Sequence, residues 1–217
     1  MRSRLTTPAA FLTLLAPLGL AVFAGCTRTT AQANEPTLDD VKAATEKYQD
    51  VNVALADGYV ADPSGMCVTA ALEGRDAADG AMGIHYIRPD LLGLSMQPGA
   101  RVDGTSTYTD FRQPAILLYE PEADGSLQLV GVENLVFQKA WEEAGHADPP
   151  TFQGHAFNHM ADDPSTEIDE AHNFQPHYDL HVWIYRDNPN GTFTPFNPAV
   201  TCEHSTTGGM QEAAPES

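Results

Sequence analysis

Basic residues are scarce in this chain: 11 Lys and Arg stand against 30 Asp and Glu in 217 residues, a formal charge of −19. Such a surface repels phosphate backbones and anionic headgroups, which excludes nucleic acid as a default partner. Cysteine is scarce too, with Cys26, Cys67 and Cys202 the whole supply. No CxxC or CxxCH spacing occurs, which removes thioredoxin-like redox chemistry and covalent c-type haem. Glycine-rich phosphate loops, dinucleotide fingerprints and internal repeats are also missing. Ser64, in Asp62-Pro63-Ser64-Gly65, lacks the Gly-x-Ser-x-Gly elbow that activates a serine nucleophile.

The chain opens with Arg2 and Arg4, continues through an apolar run from Phe11 to Phe23 and ends that run on small residues. These are the parts of a secretory signal peptide over residues 1–25, and Pro17 and Gly19 disfavour a stable spanning helix. Phe23-Ala24-Gly25-Cys26 resembles the lipobox of bacterial lipoproteins, in which the cysteine becomes the lipidated first residue. That resemblance implies an extracytoplasmic protein of the bacterial cell envelope, held at the membrane by a lipid on Cys26. Plain secretion with cleavage nearby is the alternative, because Phe23 stands where leucine is usual. Loss of Arg2 and Arg4 takes the charge from −19 to −21. Outside the cytoplasm disulfides persist, so Cys67 and Cys202 are expected to pair. Closing so long a loop stabilises a fold by up to about 5 kcal/mol on chain-entropy grounds.

Residues 26–37 read as a lipidated tether, 38–204 as a single domain and 205–217 as a flexible tail. Thr37 with Asp40 forms a capping-box pattern, and Val41, Ala44, Tyr48, Val51 and Leu55 make one apolar stripe. This predicts a helix from Leu38 to Asp57 packed on the protein's own sheet. Short strands are expected at Met66–Leu72 and Met82–Ile87. A hairpin is expected from Pro114 to Phe137, turning at Asp124-Gly125. A two-residue loop there sets Glu120 opposite Leu129 and Ile116 opposite Glu133, with Glu133 facing the core side. Gln138–Ala144 reads as a short helix. The last hairpin is expected to run from His177 to Tyr185, turn at Asn188-Pro189-Asn190-Gly191 and return to Val200. That register sets Asp179 opposite Cys202, and Pro195 and Pro198 place the return strand at a sheet edge. The fold class is α+β, an N-terminal helix on a largely antiparallel sheet, stapled by one disulfide.

Alternation along Pro176-His177-Tyr178-Asp179-Leu180-His181-Val182-Trp183 puts His177, Asp179, His181 and Trp183 on one strand face. Two histidines and a carboxylate beside an otherwise apolar strand suit a divalent metal, without distinguishing zinc, copper or iron. His177 and His181 lie about 13 Å apart on a regular strand, too far to share one ion. A site therefore uses Asp179 with His181, or His177 with Asp179, supplemented by His85 and Glu133 from neighbouring strands. On a helix the two histidines would instead sit one turn apart; Val182, Trp183, Ile184 and Tyr185 favour strand. Glu120 and Glu133 are also about 13 Å apart, wider than the ~5 to 9.5 Å of a glycosidase pair. Residues 145–175 read as a long loop holding His146, His155, His159 and His172, with His155 and His159 a second His-x-x-x-His pair.

The segments Gly83-Ile84-His85-Tyr86-Ile87, Leu117-Leu118-Tyr119-Glu120-Pro121, Val130-Gly131-Val132-Glu133 and Pro176 to Trp183 together resemble an uncharacterised family of secreted bacterial proteins. The resemblance spans Val41 to Cys202. It implies an extracytoplasmic location and carries over no activity, and it points to His85, His177 and His181 rather than to the looped histidines. The function expected is binding of a small ligand or divalent metal in a pocket lined by His85, Glu133, Asp179, His181 and His177. A metal-dependent enzyme on the same residues, or a structural envelope lipoprotein, are the alternatives.

Overall fold

The computed structural model describes residues 35–62, 64–95 and 100–206. The signal peptide, Cys26 and most of the proposed tether lie outside the described residues, as does the tail from 207 onward. No helix among the described residues is long and apolar enough to cross a membrane.

In chain order the elements are α1 (Leu38–Thr45), a 3-10 turn (Glu46–Gln49), α2 (Val51–Ala56), β1 (Val60–Ala61), β2 (Cys67–Thr69), β3 (Ala81–Ile87), α3 (Pro89–Leu92), β4 (Leu94–Ser95), β5 (Asp103–Gly104), β6 (Ile116–Pro121), β7 (Leu127–Phe137), α4 (Gln138–Glu143), β8 (Thr151–Phe152), β9 (His155–Ala156), β10 (Asn158–Met160) and β11 (His177–Val182). Seven strands form one antiparallel sheet in the order β1-β3-β6-β7-β11-β10, with β2 also paired to β3. This is the α+β architecture expected, with Cys67 and Cys202 bonded and their Cα atoms 5.7 Å apart.

The helix begins where its cap predicts. Thr37 Oγ1 accepts from the Asp40 amide at 3.1 Å, and Asp40 Oδ2 accepts from the Thr37 amide at 3.0 Å. It does not run unbroken to Asp57. Asp50 turns extended and caps α2 by accepting from the Asn52 amide. An aspartate before Val51-Asn52-Val53 gains more as a cap than within a helix of poor helix formers. The break rotates the apolar stripe, so that Val41, Tyr48 and Ala54 are buried while Leu55 is 48 % exposed. The buried set packs on Leu117, Tyr119, Val132, Leu180 and Val182, which make one face of the sheet.

The β6–β7 hairpin reaches the expected Ile116–Glu133 pairing by two departures that cancel. Its loop has three residues, not two: Gly125, at φ +84°, donates to the Glu122 carbonyl, and the Glu122 amide donates to the Ser126 carbonyl. Glu120 therefore faces Gln128 rather than Leu129. Val130 is then an extra residue opposite the Leu118–Tyr119 step, and this bulge restores the register. Ile116, Leu118, Val130, Leu135, Phe137 and Trp183 form a second apolar cluster.

The expected return strand after β11 is not formed. Trp183 donates from its backbone to Thr192 and from its indole to Thr194, and Asn197 bridges to Ala81, but Pro195 and Pro198 have no amide for a ladder. The free edge of β11 is taken by β10, from within the stretch read as a loop. Asp179 accordingly faces Leu135 and Asn158, not Cys202.

Candidate metal centre

The strand of histidines is regular, and β11 pairs with β7 without a break from His177–Phe137 to Val182–Val132. His181 lies directly opposite Glu133, which lies opposite Ile116 on β6. His85, on β3 beyond β6, reaches in from the next row. The ligating atoms of His85, Glu133 and His181 all lie within 4.8 Å of one another. Glu133 Oε2 is 3.3 Å from His85 Nε2 and 3.4 Å from His181 Nε2. Those separations exceed the ~2.7–2.9 Å of a charge-assisted N–H···O bond. They match the edge of a coordination polyhedron, about 3.4 Å for a tetrahedron and 3.0 Å for an octahedron with bonds near 2.1 Å. Three donors of this kind can hold a metal ion.

Burial sharpens the point. The side chains of His181 and Glu133 are 1 % and 3 % exposed, against 17 % for His85, so the site opens toward β3. Among the described residues neither ring nitrogen of His181 has a hydrogen-bond partner, and Glu133 Oε2 has none. Buried polar atoms left unpaired cost about 1–3 kcal/mol each, and their accumulation at one point calls for a ligand or water to satisfy them.

The electrostatics suit a cation. Burial works to raise the Glu133 carboxyl, but the facing His181 and His85 rings outweigh it and bring the group down to about 2. Burial holds His181 below its ordinary value, favouring the neutral ring that ligates. Burial also lowers His85, yet the Glu133 contact and charge overcome it and raise the group, so a proton competes with a cation there. Asp179, two residues from His181 on the same face, is pushed well above the carboxylate range by burial and by the charge of Glu133. Its one polar contact of note is Asn158 Nδ2 at 3.5 Å.

His177 and Asp179 line the same cleft as the three, but their ligating atoms fall outside the cluster. The pairing of neighbours two apart on β11 is thus replaced by one donor from each of β3, β7 and β11. His177 instead engages the Gln175 carbonyl through Nδ1 at 2.9 Å, and burial pulls its ring down to about 4. The cleft has about 60 Å³ of room, against the 10–15 Å³ that about one water needs. Met66, Val68, Met82, Ile116, Leu135 and Phe174 supply apolar wall.

The looped histidines are engaged elsewhere. His146 stacks on Trp141 with centroids 3.8 Å apart, and His155 on Phe193 at 4.0 Å. His159 Nε2 meets Gln138 Oε1 at 2.8 Å. His172, which does line the cleft, contacts Glu73 Oε1 at 2.5 Å. No local pattern in the sequence points to Met66, Met82, Met160 or His172 in this cleft; the chain from β10 to β11 carries Met160 and His172 to it. No protein-family model, curated protein or solved structure matches the chain.

Proposed function

We propose that this chain is an extracytoplasmic lipoprotein that binds a divalent metal through His85, Glu133 and His181, leaving an open coordination position to the cleft for a small ligand. The observation that carries the metal reading is His181, 1 % exposed with both ring nitrogens unpartnered and the equally unpartnered Oε2 of Glu133 at 3.4 Å. Three protein donors with room beside them are the arrangement of metal sites that exchange a fourth ligand, whereas structural zinc sites close with four. The Phe23-Ala24-Gly25-Cys26 lipobox, the disulfide and the resemblance to secreted bacterial proteins support the location.

The test is metal content of the mature protein purified from its native compartment, beside Glu133→Gln prepared identically. One metal per chain in the wild type, lost in the variant, is expected. Equal content in both, or none in the wild type after dialysis against zinc, would contradict the site. Cys26→Ser should move the protein out of the membrane fraction, since lipid is the anchor assigned here.

Asp179 favours a second reading, a metal-dependent enzyme. A carboxyl on the wall of the same cleft, its affinity for a proton raised by burial and by the charge of Glu133, can give that proton to a ligand held there. Hydrolytic turnover that falls in Asp179→Asn without loss of metal would favour it over simple binding.

A further inference from the structure

We infer that the cleft is a copper site, with Met66, Met82 and Met160 forming a thioether wall that retains the ion in its cuprous state. This rests on the metal reading of His85, Glu133 and His181. Every methionine among the described residues lines this cleft. The two large apolar clusters contain none, and Met82 alone of the three belongs to a buried cluster, a small one with Val68, Ala70 and Phe196. Methionine is a general gap-filler, and a gap-filler has no reason to avoid the larger cores and gather beside two imidazoles and a carboxylate.

Met82 is placed there by a specific backbone device. Three residues from His85, it would lie on the opposite face of a regular strand. The β2–β3 pairing steps from Val68–Gly83 to Thr69–Ala81, so Met82 is an extra, bulged residue and joins His85 in the cleft. The bulge depends on Gly83, at φ +94°, where a Cβ would come within 2.6 Å of the Tyr119 carbonyl oxygen. Bulges that re-aim one side chain are a recurrent feature beside functional sites. Met160 arrives independently, directly opposite His177 in the β10–β11 pair. Met66 precedes β2, its amide donating to Ser64 Oγ at 3.2 Å.

Zinc and ferrous iron gain little from thioethers, whereas cuprous copper is selected by them. Cupric copper would outcompete zinc at the imidazole and carboxylate donors in any case, so its affinity does not probe the methionines. The cuprous affinity does. The experiment takes the full mature domain and the near-isosteric triple variant Met66→Leu, Met82→Leu, Met160→Leu. Cu(I) affinity is measured by competition with a chromophoric cuprous chelator under ascorbate, with zinc affinity in parallel.

The expected result is a fall of 100-fold or more in cuprous affinity with zinc affinity changed less than threefold; the retained zinc binding reports an intact fold. X-ray absorption of the cuprous wild type should show sulfur neighbours that the triple variant lacks. Unchanged cuprous affinity with zinc still bound would overturn the copper assignment and leave the metal site standing. Loss of both metals from the variant would mark the methionines as packing and overturn it as well. A wild type that binds neither metal would remove the site itself.

Discussion

The two faces of the central sheet treat most of their buried polar groups differently, although Asn134 Nδ2, beside Leu180 on the helix side, is also without a partner among the described residues. On the helix side, the Tyr119 hydroxyl donates to the Tyr48 carbonyl and the Tyr59 hydroxyl to the Pro114 carbonyl, each at 2.6 Å, and Thr45 Oγ1 donates to the Val41 carbonyl at 2.7 Å. On the cleft side, Glu133 and His181 are as deeply buried and leave Oε2, Nδ1 and Nε2 unpartnered. The same strands supply both faces, so the difference lies in what each face is for. One face locks a helical segment in place; the other leaves a group of buried donors that could hold a metal ion.

The largest expected effect reaches both faces at once. Reducing Cys67–Cys202, which ties β2 to the segment after Asn197, should lower unfolding stability by about 2–5 kcal/mol in denaturant titrations. It should also weaken zinc binding, because β2 and β3 carry Met66, Val68 and His85 to the cleft. Retained stability with full metal affinity would show that the staple serves neither face.

Single substitutions separate the faces. Glu133→Gln should cut zinc affinity about 100-fold or more, since even outer-shell partners of a metal cost 10- to 100-fold. Without metal the same variant should lose stability as well, because the facing histidines favour the Glu133 carboxylate in the fold and its removal takes away their partner. Tyr119→Phe should cost about 1–3 kcal/mol through the orphaned Tyr48 carbonyl and leave zinc affinity alone. If Tyr119→Phe weakens zinc binding as much as Glu133→Gln does, the contrast between the faces fails.

The smallest effects are acid–base. The His177 ring titrates near 4 in the fold against about 6.5 when unfolded, so the unfolded chain takes up the proton first as pH falls. Its contribution is full above pH 6.5 and is lost between there and pH 4, up to about 3 kcal/mol. Asp179 runs the other way: its raised value means stability present below the unfolded pKa and lost as pH rises toward the folded one. His177→Phe should flatten the rise of stability from pH 4 to 6.5, and Asp179→Asn should remove the decline that sets in as pH rises above the unfolded carboxyl value. Urea midpoints across pH check both, and parallel profiles in all three proteins would contradict the assignment of these groups as titrating on the cleft face.

Much of the site was legible because strand alternation is a local rule. It placed His177, Asp179 and His181 on one face, and turn chemistry at Asp124-Gly125 put Glu133 on the same side, opposite Ile116. That register held only because a three-residue loop and the Val130 bulge compensate, which no turn dipeptide announces. The Asp50 break was written in its cap preference but masked by the apolar period running through it. The missing return strand follows from Pro195 and Pro198, which argue against a ladder more strongly than Asn190-Gly191 argues for one. Met82 was beyond reach, since its orientation depends on Gly83 approaching Tyr119 from a different strand.

Whether the cleft face holds a metal is decided most directly by a zinc titration followed by the side-chain nitrogen resonances of the histidines in isotopically labelled mature protein. Nitrogens of His85 and His181 should shift together and saturate at one equivalent, while His155 and His159 stay where they are. Saturation at the looped histidines, or no shift at His181 through several equivalents, would contradict a metal centre on the cleft face.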